Sequence, residues 1–487
     1  KKITNNMYTR AVRNELLSSY ALAKGLCARF LRFQYPHDYT RPILRTNFPG
    51  PMQMMALQSA DAAPSVDAAS RQSALSFINL KQSKGNFFKD TDGNVVLDLN
   101  CPLALGYNHD ALINARDSSL YDRFLQGRTD VSSVPPQDYS DMLADDVMPV
   151  APAGLDQVQL CDGSSTTANE VALSTAIMQF AMINRKENYA DLSVLGVGKA
   201  SHGCSVATLS CSDAAANVGN VPTYDWPSVD LPELKLPYAP NETFNRAEEQ
   251  ACLDQASKII QERRAAGKDV AAIIVEPIST LEMRNATPAF YKGLRKIAKD
   301  EGIPFIVDET KTGMGQTGKM WGCENWHLQE RDGGCPDMVT FGGKTGISGF
   351  YSTYDFRLNP HCASFEQNLD VSQLLSFGVT WRHMQSRGLL ELVQDTSSFL
   401  KIELEGAARD KGEISNVRGL GTAIAFDCAS KDKADSMQHW LLKLGIVTAR
   451  VGPKTIGLRP ALILGPQHAA NLREALRSYH YNHNAGE

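Results

Sequence analysis

The chain has 487 residues, 43% of them hydrophobic and 21% charged, which is enough apolar material for two or three ordinary domain cores. Its net charge of −5 and pI near 6.1 give no basic excess, so the composition argues against nucleic-acid binding. Charge or glycine interrupts every apolar run before it reaches the length of a membrane-spanning helix, and we expect no membrane span.

The cysteines number ten and stand singly along the chain. None of them forms a C-x-x-C motif or a cysteine and histidine cluster with the spacing of metal ligands. We therefore expect reduced thiols and no metal site.

Residues 1–35 form a basic amphipathic segment, in which Glu15 is the only acid between positions 8 and 33. This composition is typical of a mitochondrial transit peptide and predicts a location in the mitochondrial matrix. Two other interpretations stay open. The segment can be an ordinary surface helix with a basic outer face, or it can dock onto a partner in a larger mitochondrial assembly.

The next segment, residues 36–115, is rich in turns and is predicted to form the N-terminal part of a small domain. Its clearest signal lies over residues 87–99, where Asp92-Gly93 separates two apolar runs. An Asp-Gly pair in that position predicts a β-hairpin.

Short apolar strands alternate with helical patterns from about residue 120 to 350. Strands are predicted at 158–160, 192–195 and 270–275, and helices at 167–183, 202–209 and 288–300. This alternation predicts an α/β fold, in which helices cover both faces of a mostly parallel central sheet. We assign residues 116–385 to this large domain. Residues 386–487 are assigned to a smaller α+β domain, to which residues 36–115 also belong.

Three ionisable residues follow predicted strands: Glu276 after 270–275, Asp308 after Ile306-Val307, and Lys344 shortly after 337–341. Ligands of parallel sheets bind at the carboxyl ends of the strands, so these side chains can converge. An acid after a strand is by itself more often a turn or cap residue. Together, a strand-end lysine and a strand-end carboxylate indicate a site for pyridoxal 5′-phosphate (PLP). The lysine amine can form an imine with the cofactor aldehyde, and the carboxylate can keep the pyridine nitrogen protonated.

Small hydroxyl residues at 164–167 lead from another strand into a predicted helix. Free backbone N–H groups at a helix N-terminus attract anions, which suits this turn to the cofactor phosphate. Serine and threonine also cap helices that bind no ligand, and that alternative stays open.

A series of motifs runs in one order between Tyr39 and Leu476: Asp92-Gly93-Asn94, Gly106-Tyr107-Asn108-His109, His202-Gly203, Tyr224-Asp225-Trp226-Pro227, Ile274-Val275-Glu276-Pro277-Ile278, Val307-Asp308-Glu309, Lys344, Thr380-Trp381 and Leu458-Arg459-Pro460. This series resembles the class-III, fold-type-I PLP aminotransferases, in particular the mitochondrial 4-aminobutyrate aminotransferases. The resemblance implies the PLP-transferase fold.

The resemblance implies that Lys344 bonds to the cofactor aldehyde and moves protons during amino transfer. It also implies that Asp308 pairs with the pyridine nitrogen. The other implied cofactor contacts are Ser165, Thr166, His202 and Lys311, with Thr380 supplied by the neighbouring subunit of a homodimer.

The resemblance also implies that Glu276 and Arg459 contact the substrates, which are a small amino acid and then a 2-oxo acid. Cys204 stands where 4-aminobutyrate enzymes have an arginine, and a thiol cannot bind a carboxylate through two hydrogen bonds. The turn after Glu276 lacks the family's double glycine, so we expect it to take another path. Within that turn, Glu282 is a candidate to replace a lost acid.

Further departures surround the cofactor. Ser201 stands where the family has an aromatic residue that stacks on the ring. Lys311 adds a cation near the phenolic oxygen, and Gly342 and Gly343 replace bulkier residues before Lys344.

Three functions stay open from the sequence. The leading hypothesis is a PLP-dependent aminotransferase that moves the amino group of 4-aminobutyrate, or a related ω-amino acid, to 2-oxoglutarate. The alternative is a catalytically impaired member of the fold that serves as a structural subunit of a mitochondrial complex, which the clustered departures favour. A third is a PLP enzyme of another type, such as an aminomutase or decarboxylase.

Overall fold

A computed structural model of the chain describes residues 38–62, 77–115, 128–130, 135–162, 164–213, 221–357, 368–411 and 413–483. The basic segment at 1–35 lies outside these ranges, so its interpretation stays a prediction.

The strands that the structure describes are β1 (Phe87–Lys89), β2 (Val95–Asp98), β3 (Arg128–Asp130), β4 (Gln157–Cys161), β5 (Ser193–Val197), β6 (Ser228–Val229), β7 (Val270–Val275), β8 (Phe305–Asp308), β9 (Met338–Phe341), β10 (Ser348–Ser352), β11 (Asn368–Asp370), β12 (Ile414–Leu420), β13 (Ala423–Cys428), β14 (Ile446–Val447), β15 (Ala449–Arg450) and β16 (Thr455–Leu458). The α-helices are α1 (Pro51–Ala62), α2 (Asp110–Asn114), α3 (Tyr139–Met142), α4 (Ser165–Ile183), α5 (Val206–Ser210), α6 (Glu242–Ala265), α7 (Pro288–Glu301), α8 (Val371–Arg387), α9 (Leu389–Lys411), α10 (Lys431–Lys443) and α11 (Pro466–His483). None of these described helices combines the length and hydrophobicity that crossing a bilayer requires.

Seven strands form the central sheet, in the order β4-β10-β9-β8-β7-β5-β6. Neighbours from β9 to β6 run parallel, whereas β10 is antiparallel to both β9 and β4. The predicted mostly parallel sheet is therefore confirmed.

Helices cover both faces of this sheet, as the side chains of β7 demonstrate. Its alternate residues Ala271, Ile273 and Val275 belong to one hydrophobic cluster, which also contains side chains of α7. The intervening residues Ala272 and Ile274 belong to a second cluster, which contains side chains of α4. Because successive side chains of a strand point to opposite faces, α4 and α7 lie on opposite sides of the sheet. The predicted α/β architecture is confirmed.

A second, smaller region combines both ends of the chain. The predicted hairpin is confirmed, because β1 and β2 pair antiparallel, and β14 from the C-terminal region then adds to β2 in parallel. A four-stranded antiparallel sheet of order β12-β13-β16-β15 packs with α9, α10 and α11. The exact domain boundaries given above stay predictions.

Candidate active site

The carboxyl ends of β7, β8 and β9 meet at one edge of the central sheet. Val275 at the end of β7 lies opposite Val307 of β8, and Asp308 lies opposite Thr340 of β9. This register, with the loop that follows β5, brings polar atoms of His202, Glu276 and Asp308 within 4.8 Å of one another. The strand-end acids therefore converge, as the sequence predicted.

Asp308 is completely buried and accepts hydrogen bonds on both carboxylate oxygens. Oδ2 accepts from His202 Nδ1 and from Asn169 Nδ2, each at 2.8 Å, and Oδ1 accepts from the backbone N–H of Thr310 at 2.9 Å. Burial by itself raises the pKa of Asp308, but the hydrogen bond and charge of His202 outweigh it and, with the Thr310 bonds, hold the pKa below its ordinary value. Asp308 is therefore an anion at neutral pH.

Asn169 links Asp308 to Thr340 and to the backbone of His202. Thr340 Oγ1 lies 3.5 Å from Asp308 Oδ1, but it donates its single proton to Asn169 Oδ1 at 2.6 Å. Asn169 in turn donates to the carbonyl oxygen of His202 at 2.7 Å. Thr340 and Asn169 therefore belong to the hydrogen-bond network that surrounds Asp308.

His202 and Glu276 both have raised pKa values, for different reasons. Burial lowers the pKa of His202, but its hydrogen bond to Asp308 and the charges of Asp308 and Glu276 outweigh burial, and the net shift is upward. Burial raises the pKa of Glu276 to about 7, although Thr280 donates to it through its N–H at 2.6 Å and through its hydroxyl. A proton is therefore held close to Asp308 around neutral pH.

Lys344 lies in a short turn after β9, with its amine directed into the protein. Nζ donates to the carbonyl oxygens of Cys101 and of Arg459, the latter at 3.3 Å. Burial lowers the pKa of Lys344 to about 8. The amine is thus more readily deprotonated than an exposed lysine.

The two glycines before Lys344 are required by close contacts. A Cβ at Gly342 would collide with Oγ of Ser165, the first residue of α4. Gly343 has φ +60°, and a Cβ there would lie 2.6 Å from the carbonyl oxygen of Thr310. Small residues at 342 and 343 therefore let the lysine turn approach both α4 and the loop that follows Asp308.

The surroundings of Lys344 include a buried acid and a buried thiol. Tyr107 donates its hydroxyl proton to Asp98 Oδ2 at 2.8 Å. Burial raises the pKa of Asp98, and Lys344 opposes part of that shift, as does the hydrogen bond from Tyr107. Burial and the charge of Asp98 raise the pKa of Cys101 to about 12, so its thiol is protonated at neutral pH.

The N-terminus of α4 carries Ser165 and Thr166, the residues that the family resemblance assigns to the cofactor phosphate. The first described backbone bond of this helix runs from Ala168 N–H to Ser164 O at 3.1 Å, and among the described residues the amides of Ser165, Thr166 and Thr167 have no backbone acceptor. Ser164 adds no side-chain cap. Thr166 Oγ1 accepts from the backbone N–H of Cys204 at 3.3 Å, which ties the exposed Cys204 loop to the helix.

The turn after Glu276 is closed by reciprocal backbone bonds. Met283 N–H donates to Ser279 O, and Ser279 N–H donates to Arg284 O, each at 2.8 Å. Met283 has φ +50°, in the left-handed region that favours glycine. The expected change of path stays a prediction, and Met283 itself takes a glycine-type conformation in this turn.

Arg459 follows β16 and lies next to both Met283 and Lys344. Its Nη2 donates to Met283 Sδ at 3.1 Å, and its carbonyl oxygen accepts from Lys344. Burial lowers the pKa of Arg459, and the charge of Glu276 opposes this shift. Within the described ranges of the chain, no acid forms an ion pair with this guanidinium.

Glu282 does not join this group of residues. Its Oε2 accepts from Arg284 Nε at 2.6 Å, and Arg284 also pairs with Glu233 at 3.1 Å. The carbonyl oxygen of Glu282 accepts from Arg418 Nη2 at 2.8 Å. These residues line a cleft between the large domain and β12, so the contacts of Glu282 do not support its predicted substrate role.

Two other predicted cofactor residues remain, Lys311 and Thr380. The side chain of Lys311 is exposed. Thr380 is buried on α8, a helix whose main partners are α2, α9 and residues 143–147. Their cofactor roles stay predictions, and for Thr380 the prediction concerns the neighbouring subunit.

Sequence reasoning missed three residues of the site: Asn169, Thr340 and Met283. Asn169 lies four residues after Ser165, one helical turn further along α4, and this spacing was an available signal. Thr340 is the direct neighbour of Asp308 across two parallel strands, which only the register reveals.

Comparison with known proteins gave three findings. The family model described as aminotransferase class-III matches residues 68–479. The chain is 33% identical to a Dictyostelium discoideum protein named 4-aminobutyrate aminotransferase (89% of this chain, 90% of that protein), and 30% identical to the human protein named 4-aminobutyrate aminotransferase, mitochondrial (89% of each). A solved lysine aminotransferase from Mycobacterium tuberculosis has the same fold, with TM-score 0.75 and 22% identity, over 88% of this chain and 98% of that one.

Proposed function

The chain belongs to the class-III aminotransferases, and from that premise we propose that it transfers the amino group of 4-aminobutyrate, or of a related ω-amino acid, to a 2-oxo acid such as 2-oxoglutarate. The observation that carries the proposal is that Asp308 ends β8 and Lys344 follows β9, the adjacent strand, in a PLP-dependent fold. The named activity of the relatives in Dictyostelium and human supports this choice of amino donor.

The residues present fit PLP. Asp308 is a buried anion at the end of β8, which suits a pyridine N–H, and the first amides of α4, beside Ser165 and Thr166, suit the phosphate. Lys344 supplies the amine that bonds to the aldehyde. When bound, PLP supplies a carbonyl group that takes up the amino group and a protonated ring that accepts electrons.

Lys344 is suited to carry a proton in this reaction. With a pKa of about 8, Nζ exchanges protons readily near neutral pH, as a general acid and base must. The carbonyl oxygens of Cys101 and Arg459 orient the amine when it is protonated. Asp98 supplies negative charge nearby and keeps the pKa from falling further.

Asp308 has to remain an anion to keep a pyridine nitrogen protonated. Its two side-chain donors, His202 and Asn169, hold one oxygen in place and stabilise the charge. Thr340 fixes the orientation of the Asn169 amide by donating to its oxygen. This chain therefore positions Asp308 through a network that reaches from β8 to α4 and β9.

In this proposal, Arg459 and Glu276 bind the substrate. Arg459 is a cation next to Lys344 without an ion-pair partner in the described part of the chain, which suits it to a substrate carboxylate. Glu276 has a pKa of about 7, so it can accept a proton from an incoming ammonium group or pair with that group when ionised.

We propose further that the protein is a homodimer of the mitochondrial matrix. The mitochondrial names of several relatives support the location. For the dimer, the support is that α8, the helix of Thr380, packs on α2 and residues 143–147 of its own chain, and we propose that Thr380 reaches the phosphate of a second subunit. Docking of residues 1–35 onto a larger assembly stays a prediction. The retained donors around Asp308 favour an enzyme over a purely structural subunit.

To test this proposal, the purified chain is incubated with PLP, 4-aminobutyrate and 2-oxoglutarate, and glutamate formation is measured. Lys344→Ala is the matched control. Glutamate that forms with the wild type and not with the variant supports the proposal. Absence of amino transfer from any ω-amino acid contradicts it.

A further inference from the structure

We infer that Met283 limits the affinity of the site for carboxylates, because its side chain lies on the guanidinium of Arg459 and occupies part of the place where a substrate carboxylate would bind. The inference rests on the proposed function, in which Arg459 receives a carboxylate. It concerns how tightly carboxylates bind, and it can be tested without turnover.

Met283 is held in this place by its backbone and by its packing. Its φ of +50° lies in the left-handed region, which is unfavourable for a non-glycine residue, and the backbone bonds between Ser279 and the end of the turn maintain it. The side chain is completely buried in a small cluster with Ile278, Ala423 and Ala425. Its Cγ also lies 3.6 Å from where a Cβ of Gly457 would stand.

The contact with Arg459 engages the nitrogen that matters most for carboxylates. A guanidinium binds a carboxylate through two parallel N–H groups. These come either from Nε and Nη2 or from Nη1 and Nη2, so Nη2 takes part in both geometries. Met283 Sδ lies 3.1 Å from this Nη2. Nη2 has two N–H groups, one for each geometry, so a carboxylate that uses the N–H facing Met283 Sδ competes with the sulfur.

The thioether is a weak acceptor, so it does not satisfy Arg459 as a carboxylate would. A carboxylate can displace it, but only if Met283 leaves its packing against Ala423 and Ala425, which lowers the net affinity. Shortening residue 283 should consequently tighten carboxylate binding, and the effect should require Arg459. A bulky apolar residue of similar size should keep the affinity low.

The test measures the dissociation constant of 2-oxoglutarate by isothermal titration calorimetry with the full chain loaded with PLP. We expect Met283→Gly to bind about tenfold more tightly than the wild type, which corresponds to about 1.4 kcal/mol. Glycine suits the left-handed conformation, and Met283→Ala serves as a second truncation with the same expected direction if the glycine variant folds poorly. Met283→Leu keeps the volume without the sulfur and should bind within about twofold of the wild type.

The double variant Met283→Gly with Arg459→Ala decides whether the effect passes through Arg459. The inference predicts that the gain disappears in this variant. Unchanged affinity in both truncated variants, the same gain without Arg459, or no binding by any form would overturn it. Failure of the proposed function is separate, because it appears as absent glutamate formation whatever the dissociation constants are.

Discussion

His202 and Asp308 form a completely buried pair in which the imidazole Nδ1 lies 2.8 Å from the carboxylate Oδ2. An ionised carboxylate can only accept, so Nδ1 carries the proton. Asn169 bonds to the same carboxylate oxygen and to the backbone of His202, so the three residues act as one unit. This unit keeps Asp308 charged inside the protein.

Replacing Asp308 with asparagine should remove the charge and retain the size of the side chain. We expect kcat/KM for amino transfer to fall by about 10²- to 10³-fold, since a buried group that stabilises developing charge is lost. Steady-state kinetics with 4-aminobutyrate and 2-oxoglutarate provide the measurement. Activity of Asp308→Asn close to that of the wild type would contradict the assigned role.

Asn169→Ala should destabilise the fold by about 1–3 kcal/mol, because the Thr340 hydroxyl and the His202 carbonyl lose a buried partner. Urea unfolding measures this difference. The matched control is Asn184→Ala at the exposed end of the same helix, where only a hydrogen bond to Phe180 is lost. Equal effects of the two variants would show that the network around Asp308 adds no stability of its own.

The pKa of Lys344 predicts how cofactor capture depends on pH. Only the neutral amine attacks an aldehyde, so the capture rate of PLP by the cofactor-free chain should rise with pH and level off above about 8. Stopped-flow absorbance measures the rate, and Lys344→Ala should give no such phase. A midpoint near the ordinary lysine value of 10.5 would contradict burial of the amine.

The raised pKa of Glu276 predicts how the free energy of unfolding depends on pH. Its folded pKa of about 7 lies above the ordinary 4.5, so between these values the folded state binds a proton that the unfolded state has released. The free energy of unfolding of the wild type should therefore fall, relative to Glu276→Gln, as pH rises from about 4.5 to 7. Above about pH 7 the difference between the two proteins should become constant. Urea unfolding at several pH values measures it, and a difference that does not vary with pH would show that Glu276 is not perturbed.

Local sequence patterns predicted the elements that form the large domain. The position of the site was predicted from the apolar runs of β7 and β8 and the ionisable residues at their ends. Such strand ends can be predicted because the apolar pattern stops where turn residues begin. The β1–β2 hairpin followed from Asp92-Gly93 for the same reason.

The unpredicted parts depend on contacts between residues far apart in sequence. Asn169 meets Asp308 across 139 positions, and the Met283 contact with Arg459 spans 176. Local patterns also did not reveal that Met283 takes a glycine-type conformation in the turn after Glu276. Glu282 was assigned to the substrate from its position in the chain, whereas its neighbour Arg284 binds it elsewhere.

The most direct test of the central claim, that Lys344 binds PLP and the chain transfers amino groups, is an absorbance spectrum of the purified protein. It should be recorded between about 320 and 450 nm before and after adding 4-aminobutyrate. We predict a cofactor band that Lys344→Ala abolishes and that 4-aminobutyrate shifts to the position of the aminated cofactor. A protein that stays colourless with added PLP, or a band that no amino donor shifts, would contradict the claim.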